Sequence, residues 1–220
     1  MPISPYHKPN FYTDALAKGR HRDIVGGRWD ETGRAQMALL RQHGLLPHHH
    51  LLDIGAGALR LGCKAIPYLE PDHYWATDLS GDLMLRGYQT ELADPARLNP
   101  DHLVQDDDFT FPGVPATITH AIAFAVFTHL PLSNLTAALA QIHQCFPALD
   151  CLLFTTFLAP PEAYQSPFRQ PDGVVTHPGR APYHHRADDI VTATRTHGFH
   201  AVMSDPHLPR GQRLWTAHRA

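Results

Sequence analysis

The sequence predicts an α/β fold whose centre is a doubly wound, mostly parallel sheet of seven strands. Short apolar segments of strand length alternate with segments of helical length along most of the chain, and this alternation is typical of parallel sheets covered by helices on both faces. A glycine-containing break, Gly55-Ala56-Gly57, comes directly after the first strand. Two final strands, at 199–204 and 213–218, are joined by a short turn. We therefore expect an antiparallel strand to close the sheet.

One helix is predicted ahead of the first strand, at about 28–43. Trp29, Met37 and Leu40 lie on one stripe at helical spacing, whereas residues 1–26 show no clear period. Strands and helices then alternate, with strands predicted at 51–54, 74–77, 102–105, 118–127 and 151–157 and helices at 59–66, 83–92, 135–146 and 188–196.

Length and composition narrow the classes of function. A chain of 220 residues suits one domain with a small appendage, which we predict as an N-terminal helical cover at 1–44 and a ligand-binding domain at 45–220. The net charge of −3 and the lack of a basic stripe argue against nucleic acid, and no apolar run approaches the ~20 residues that span a bilayer. We expect a monomer or homodimer in the cytoplasm, where its scattered cysteines stay reduced.

Histidine is abundant, with 18 residues, but its arrangement does not predict a metal site. The runs at 48–50 and 184–185 are adjacent residues rather than pairs four positions apart on one helix face. Neighbouring residues on a strand point to opposite faces. We therefore expect no bound metal.

The most informative residues form a strand-to-turn motif at 53–57, Asp-Ile-Gly-Ala-Gly. Glycines in such a turn let the backbone bend tightly and come close to a ligand. Asp78 ends the next predicted strand, where a carboxylate can accept hydrogen bonds from both hydroxyls of a ribose. The motif therefore predicts a nucleotide-binding edge at the carboxyl ends of the strands.

Two departures separate this motif from a dinucleotide fingerprint. Arg60 stands at the fingerprint's third glycine, and an acidic residue, Asp53, precedes the first one. A carboxylate there repels a pyrophosphate but suits a ligand with an ammonium or sulfonium group. The pattern resembles motif I of the Rossmann-like (class I) S-adenosylmethionine (SAM)-dependent methyltransferases, and the resemblance covers roughly residues 45–220. That family's own third glycine is Leu59 here.

The resemblance implies SAM as the cofactor and a set of residues around it. Asp53 would lie near the methionine portion of SAM and Asp78 at the ribose. An acidic residue after the third strand meets the adenine amine, which leaves Asp107 and Asp108 as alternatives. Arg60 either holds the cofactor's carboxylate through two hydrogen bonds or is an ordinary surface arginine. The complete set implied for cofactor binding is Asp53, Gly55, Ala56, Gly57, Arg60, Asp78, Leu79, Asp107, Asp108 and Phe109.

Two residues are candidates for catalysis. His129 follows the fourth strand and is either a general base or a structural residue. Tyr183 lies in the long loop 160–186 and either stabilises the sulfonium by a cation–π contact or fills a gap in the core. The Asn/Asp-Pro-Pro-aromatic motif of DNA and protein-glutamine methyltransferases is missing after the fourth strand, which favours a small acceptor.

The resemblance therefore predicts a SAM-dependent methyltransferase that acts on a small molecule. Methyl transfer requires mainly that the protein align a nucleophile with the methyl group. One alternative is a SAM-consuming lyase of the same fold, similar to azetidine-2-carboxylate synthases, which cyclises the aminobutyrate arm of SAM and releases methylthioadenosine. A second alternative is a protein that binds SAM without turning it over.

Overall fold

The chain consists of two compact bodies in the computed structural model, which describes residues 3–204 and 208–220. The first, the glycine-turn body, is Pro9–Ile122. The second, the C-terminal body, combines the residues up to Lys8 with Ala123–Ala220. Each body buries its own set of apolar side chains.

The glycine-turn body has four helices and four parallel strands. The helices and strands are α1 (Phe11–Ala17), α2 (Trp29–Gln42), β1 (Leu51–Ile54), α3 (Gly62–Ala65), β2 (Tyr74–Asp78), α4 (Gly81–Glu91), β3 (Leu103–Gln105) and β4 (His120–Ala123), whose last residue falls in the other body. The strands are ordered β3-β2-β1-β4, and each pairs in parallel with its neighbours.

Strand β1 is the central element of this body. It lies between β2 and β4, and all four of its residues are buried. The register pairs Leu51 with Tyr74 and Asp53 with Ala76. Asp53 and Asp78 therefore lie near the carboxyl ends of neighbouring parallel strands, which is the edge where open α/β sheets bind ligands.

The helices of this body begin at identifiable residues. Ser80 caps α4, because its hydroxyl accepts a hydrogen bond from the Leu83 amide at 3.2 Å. Helix α1 begins after Asn10, which has a φ of 61°, and buries only Ala15; a single buried residue leaves no period to detect in the sequence. In the described part of the chain, no helix combines the length and the apolar character needed to cross a membrane.

The described residues of the C-terminal body form two α-helices and six strands. They are α5 (Leu132–Cys145), β5 (Cys151–Leu158), β6 (Phe168–Arg169), β7 (Val175–Thr176), β8 (His184–His185), α6 (Ala187–Thr196), β9 (Phe199–Met203) and β10 (Arg213–Arg219). Strand β10 runs antiparallel to both β5 and β9. The side chain of Trp215 on β10 is buried, and its indole donates to the Thr156 hydroxyl on β5 at 2.9 Å.

The structure confirms the predicted fold class, a mostly parallel α/β sheet closed by an antiparallel strand. The loop predicted at 160–186 is more ordered than expected, because it contains the β6–β7 hairpin and β8, a two-residue strand beside β5. The fourth strand ends at Ala123 instead of 127, since Ala125 has a φ of 61° and turns the chain.

The third helix is also shorter than predicted. It covers Gly62–Ala65 instead of 59–66. The Gly55 amide donates to the carbonyl oxygen of Thr77, and the residues that follow form turns. Leu59 has a φ of 61° in these turns and therefore cannot begin an α-helix. The division into a cover at 1–44 and a ligand-binding domain at 45–220 concerns function and stays a prediction.

Helix α4 packs closely against the segment after the glycine turn at Gly87, which has no side chain. The substitution Gly87→Ala tests this close contact. A Cβ at Gly87 would overlap the carbonyl group of Ala58. Although alanine favours helices, we expect Gly87→Ala to lower the free energy of unfolding by about 1–3 kcal/mol, because overpacking displaces the backbone. Urea denaturation followed by circular dichroism measures the change.

Gly179→Ala is the matched control. A Cβ there meets no atom within 4 Å, and we expect an unchanged denaturation midpoint. Equal midpoints for Gly87→Ala and the wild-type protein would show that the helix moves away at no cost.

Candidate functional site

A buried carboxyl group lies one residue before the end of β1. The side chain of Asp53 is almost wholly shielded, with 2% of the residue exposed, and the Tyr74 hydroxyl donates to its Oδ2 at 2.7 Å. Burial raises the pKa of Asp53 to about 7, while the Tyr74 hydrogen bond and the charge of Arg60 partly oppose that rise. The site therefore holds a carboxyl group whose negative charge is only partly compensated by the protein.

A second carboxyl group ends β2, and both of its oxygens accept backbone hydrogen bonds. The Gly57 amide donates to Oδ2 of Asp78 at 2.8 Å, and the Ser80 amide donates to Oδ1 at 3.0 Å. Burial raises the pKa of Asp78, and these two hydrogen bonds oppose the rise. Each carboxylate oxygen can accept a further hydrogen bond. The predicted contact of Asp78 with a ribose stays a prediction.

The two glycines of the turn differ in their accessibility. Gly55 has a φ of 73° and is exposed. Gly57 has a φ of 57° and is buried, and a Cβ added to it would lie 2.5 Å from Cγ1 of Val25. A ligand can therefore approach the backbone at Gly55, whereas the open side of Gly57 is covered by the protein itself.

Leu59 stands at the position where the resemblance places a third glycine. Its φ is 61°, and its side chain is fully buried. A left-handed conformation costs a leucine about 1–2 kcal/mol, and burial of its side chain contributes roughly 1.5–3 kcal/mol in the opposite direction. Burial of the side chain therefore offsets the strain of this backbone conformation.

Arg60 contacts the backbone of the N-terminal part of the same body. Its Nη1 donates to the carbonyl oxygen of Val25 at 2.8 Å and to that of Gly27 at 3.2 Å. The guanidinium is thus held against the chain at residues 25–27. Its predicted contact with the cofactor's carboxylate stays a prediction.

The turn after β3 is organised by an aspartate that the sequence analysis did not single out. Asp106 accepts hydrogen bonds from the amides of Asp108 (3.2 Å), Thr110 (3.2 Å) and Phe111 (2.9 Å). Asp108 in turn accepts from the Thr110 hydroxyl at 2.8 Å. Asp107 is exposed beside them. Two of the three acidic side chains therefore stabilise the turn, and Phe109 follows them with a φ of 63°.

The two catalytic candidates lie in the C-terminal body. The His129 ring meets the edge of Tyr6, with centroids 5.0 Å apart. Burial, together with the charge of Arg210, lowers the pKa of His129 to about 4. Its Nδ1 is buried and has no hydrogen-bond partner among the described residues. The imidazole is therefore neutral at physiological pH.

Tyr183 is fixed at both its ring and its backbone. Its hydroxyl donates to the carbonyl oxygen of Ile3 at 3.1 Å, and its amide donates to that of Thr128 at 2.8 Å. The structure thus brings Tyr183 next to the residue that precedes His129. Whether the two residues take part in catalysis stays a prediction.

Many histidines flank the amino ends of the strands in the glycine-turn body. His50 stacks on His73 with ring centroids 4.0 Å apart, and His49 stacks on His120 at 4.5 Å. Within residues 3–204 and 208–220, no three His, Cys, Asp or Glu side chains are grouped so that they could hold a metal ion.

Three contact residues of these sites were not identified from the sequence: Val25, Tyr74 and Asp106. Asp106 belongs to an acidic run, which is the one local signal that could have indicated it. Val25 and Tyr74 contact residues far away in the sequence, and their own segments carry no motif.

Comparisons with known proteins define the fold further. No protein-family model matches the chain, and a search of curated protein sequences gives no match. Solved structures are similar over nearly the whole chain. Magnesium protoporphyrin IX methyltransferase (ChlM) from Synechocystis PCC 6803, with bound S-adenosylhomocysteine (SAH), has a TM-score of 0.64 and 17% identity, covering 95% of this chain and 97% of that one.

Two further structures show the same likeness. SAM-bound CalS10, an amino pentose methyltransferase from Micromonospora echinaspora, has a TM-score of 0.62 and 16% identity, covering 97% of this chain and 100% of that one. The DhpI–SAH complex has a TM-score of 0.62 and 13% identity, covering 94% of each chain. The chain therefore has the class I SAM-dependent methyltransferase fold, and the resemblance predicted from residues 53–57 is confirmed at the level of the fold.

Asp53→Asn tests the cost of the buried carboxyl group. Because the folded-state pKa of about 7 exceeds the ordinary value of 3.8, the carboxyl group's contribution to stability is complete below pH 3.8 and is lost as the pH rises through about 7. Asparagine keeps an oxygen for the Tyr74 hydroxyl and carries no charge. We expect the gain in stability at pH 8 to exceed the gain at pH 5 by roughly 1–3 kcal/mol.

Urea denaturation at the two pH values measures this difference, and Asp101→Asn, at an exposed aspartate, is the control. A variant that is equally stabilised at pH 5 and pH 8, or that loses stability at pH 8, would contradict a raised pKa at Asp53.

Proposed function

We propose that the chain is a SAM-dependent methyltransferase that acts on a small-molecule acceptor. The observation that carries this proposal is the pair of carboxyl groups beside the exposed backbone of Gly55: Asp53, which is buried, and Asp78, which is half-buried. Burial raises the pKa of both groups, so a cationic ligand would favour their ionised forms. SAM carries a sulfonium and an ammonium group together with a ribose diol, and it therefore fits this arrangement.

Three features of the turn argue against a dinucleotide. The backbone at Gly57 is closed by Val25, although a pyrophosphate needs close approach at the second glycine. The Gly57 amide already donates to Asp78. Helix α3 begins only at Gly62, so no helix N-terminus lies at the turn to bind a phosphate. The relatives of this fold solved with SAM or SAH also support the proposal.

Each part of the cofactor has proposed protein partners. We assign the ribose to Asp78 and Leu79, and the methionine portion to the neighbourhood of Asp53 and Gly55. For the adenine amine we favour Asp107 over Asp108, because Asp108 already accepts a hydrogen bond from the Thr110 hydroxyl. In this assignment Phe109 offers its backbone amide to the adenine ring.

Bound SAM supplies a methyl group that its sulfonium charge makes electrophilic, and the protein must mainly align the acceptor with it. As the acceptor's bond to the methyl carbon forms and the sulfur–carbon bond breaks, a protonated acceptor must lose its proton. We propose that His129 accepts that proton, because its neutral imidazole has a free Nδ1. For Tyr183 we propose a ring contact with the sulfonium, since its hydroxyl is already bound to Ile3.

Composition and the similar structures support a small acceptor. CalS10 acts on an amino pentose, and ChlM is named for magnesium protoporphyrin IX. The net charge of −3 disfavours a nucleic-acid substrate. All three cysteines are free thiols, which supports a reducing compartment such as the cytoplasm.

Calorimetry with SAM and with NAD tests cofactor binding. We expect the wild-type protein to bind SAM and to bind NAD more weakly or not at all. Asp78→Ala should weaken SAM binding by about 1–3 kcal/mol, because buried ribose hydroxyls lose charged hydrogen bonds. Asp101→Ala, at an exposed position, is the control and should leave the affinity unchanged. Tighter binding of NAD than SAM, or no heat with either, refutes the assignment.

Product analysis tests the reaction itself. The protein is incubated with methyl-labelled SAM, alone and with a metabolite extract, and the products are identified by mass spectrometry. We expect SAH and a labelled small molecule only when the extract is present. Methylthioadenosine formed together with a cyclic amino acid would establish the lyase instead. Label confined to nucleic acid or protein would exclude the small acceptor, and intact SAM throughout would indicate binding without turnover.

A further inference from the structure

A segment without regular secondary structure, which we call the strap (residues 20–28), lies against the glycine turn within the same body. Cγ1 of Val25 lies where a side chain of Gly57 would begin, 2.5 Å from the position of an added Cβ. The Arg60 side chain holds this segment, since its Nη1 donates to the carbonyl oxygens of Val25 and Gly27. The second glycine of the motif thus makes room for the strap.

The beginning of the strap is attached to the end of α4. Glu91 has a side chain that is only 5% exposed, and it accepts hydrogen bonds from His21 Nε2 at 2.6 Å and from Arg22 Nε and Nη2 at 2.8 and 2.6 Å. Burial by itself would raise the pKa of Glu91, but the bonds from Arg22 and His21 outweigh it and lower that pKa. Arg22 also lies over the ring of Trp29, 5.2 Å from its centroid.

Two consecutive glycines lie in the strap between these two attachments. Gly26 and Gly27 have φ values of 93° and 64°, and a Cβ added to either would meet no atom within 4 Å. The Gly26 amide donates to the carbonyl oxygen of Asp23 at 3.1 Å, so the strap also forms a turn of its own. The hydrogen bonds of Arg60 and Glu91 attach this turn to the residues after the glycine turn and to the end of α4.

We propose that Arg60 and Glu91 are positioning residues that hold the strap over the glycine turn, so that Val25 forms one wall of the cofactor site. The inference rests on the proposed function, because it takes the turn to be where SAM binds. Val25 covers Gly57, which lies two residues after the exposed Gly55 and donates its amide to Asp78, the residue to which we assign the ribose. Release of the strap would admit water at this point and remove packing beside the cofactor.

Arg60→Gln and Glu91→Gln each remove one attachment. Limited digestion with trypsin reports on the strap directly, because Arg20 and Arg28 stand at its two ends. We expect cleavage at these arginines to accelerate several-fold in both variants. We also expect the Kd for SAM to rise roughly 5–50-fold, as the loss of one or two charge-assisted hydrogen bonds predicts. Arg60→Lys, which keeps the charge and one possible hydrogen bond, should restore part of the affinity.

Arg97→Gln is the matched control. Arg97 also donates to two backbone carbonyls of this body, those of Ile66 and Leu69, but it does not hold the strap. We expect it to lower the melting temperature without changing the strap cleavage or the Kd for SAM. Val25→Ala tests the wall itself and leaves both attachments in place. It keeps the hydrogen bonds of Arg60 and Glu91 but removes the side chain that covers Gly57, and we expect it to raise the Kd for SAM as well.

The two readouts separate this inference from the proposed function. Unchanged cleavage in Arg60→Gln and Glu91→Gln overturns the inference, as does a Kd equal to that of the wild-type protein or an equal loss of affinity in Arg97→Gln. If the wild-type protein does not bind SAM, the proposed function fails, and so does the inference that Val25 forms a wall of the cofactor site. The cleavage rates still decide in that case whether Arg60 and Glu91 hold the strap.

Discussion

Burial of the Asp53 carboxyl group near the end of β1 is the constraint on which the candidate site depends. A charged carboxylate in an apolar strand is costly unless hydrogen bonds and opposite charges compensate it. Here a tyrosine hydroxyl and the more distant charge of Arg60 supply only part of that compensation, and the pKa stays raised. A carboxyl group whose pKa burial raises in this way, at the carboxyl ends of parallel strands, marks a candidate functional site.

The two glycines of the motif have different physical roles. Gly55 leaves its backbone open to a ligand, whereas Gly57 leaves space for Val25 and donates its amide to Asp78. In a dinucleotide-binding turn the second glycine admits the pyrophosphate. The same sequence pattern can therefore serve a different ligand when another part of the chain occupies the space that the glycine provides.

Hydrogen bonding in the turns shows how acidic residues divide between structure and function. Asp106 and Asp108 accept bonds from the backbone and side chains of their own turn, and Asp107 stays exposed. Such side-chain-to-backbone bonds are typical of aspartate in turns. In the C-terminal body, burial and the charge of Arg210 lower the pKa of His129 to about 4, so its imidazole is neutral at physiological pH.

The sequence by itself determined the alternation of strands and helices, the closing antiparallel strand, and the placement of Asp53 and Asp78 at strand ends. These features follow from local periodicity and from the geometry of parallel strands. Tertiary structure alone decided the contacts of Val25 with Gly57, Arg60 with Gly27, and Tyr74 with Asp53. Those contacts join residues that are 21 to 33 positions apart, and no local pattern encodes which distant segment fills a space or accepts a hydrogen bond.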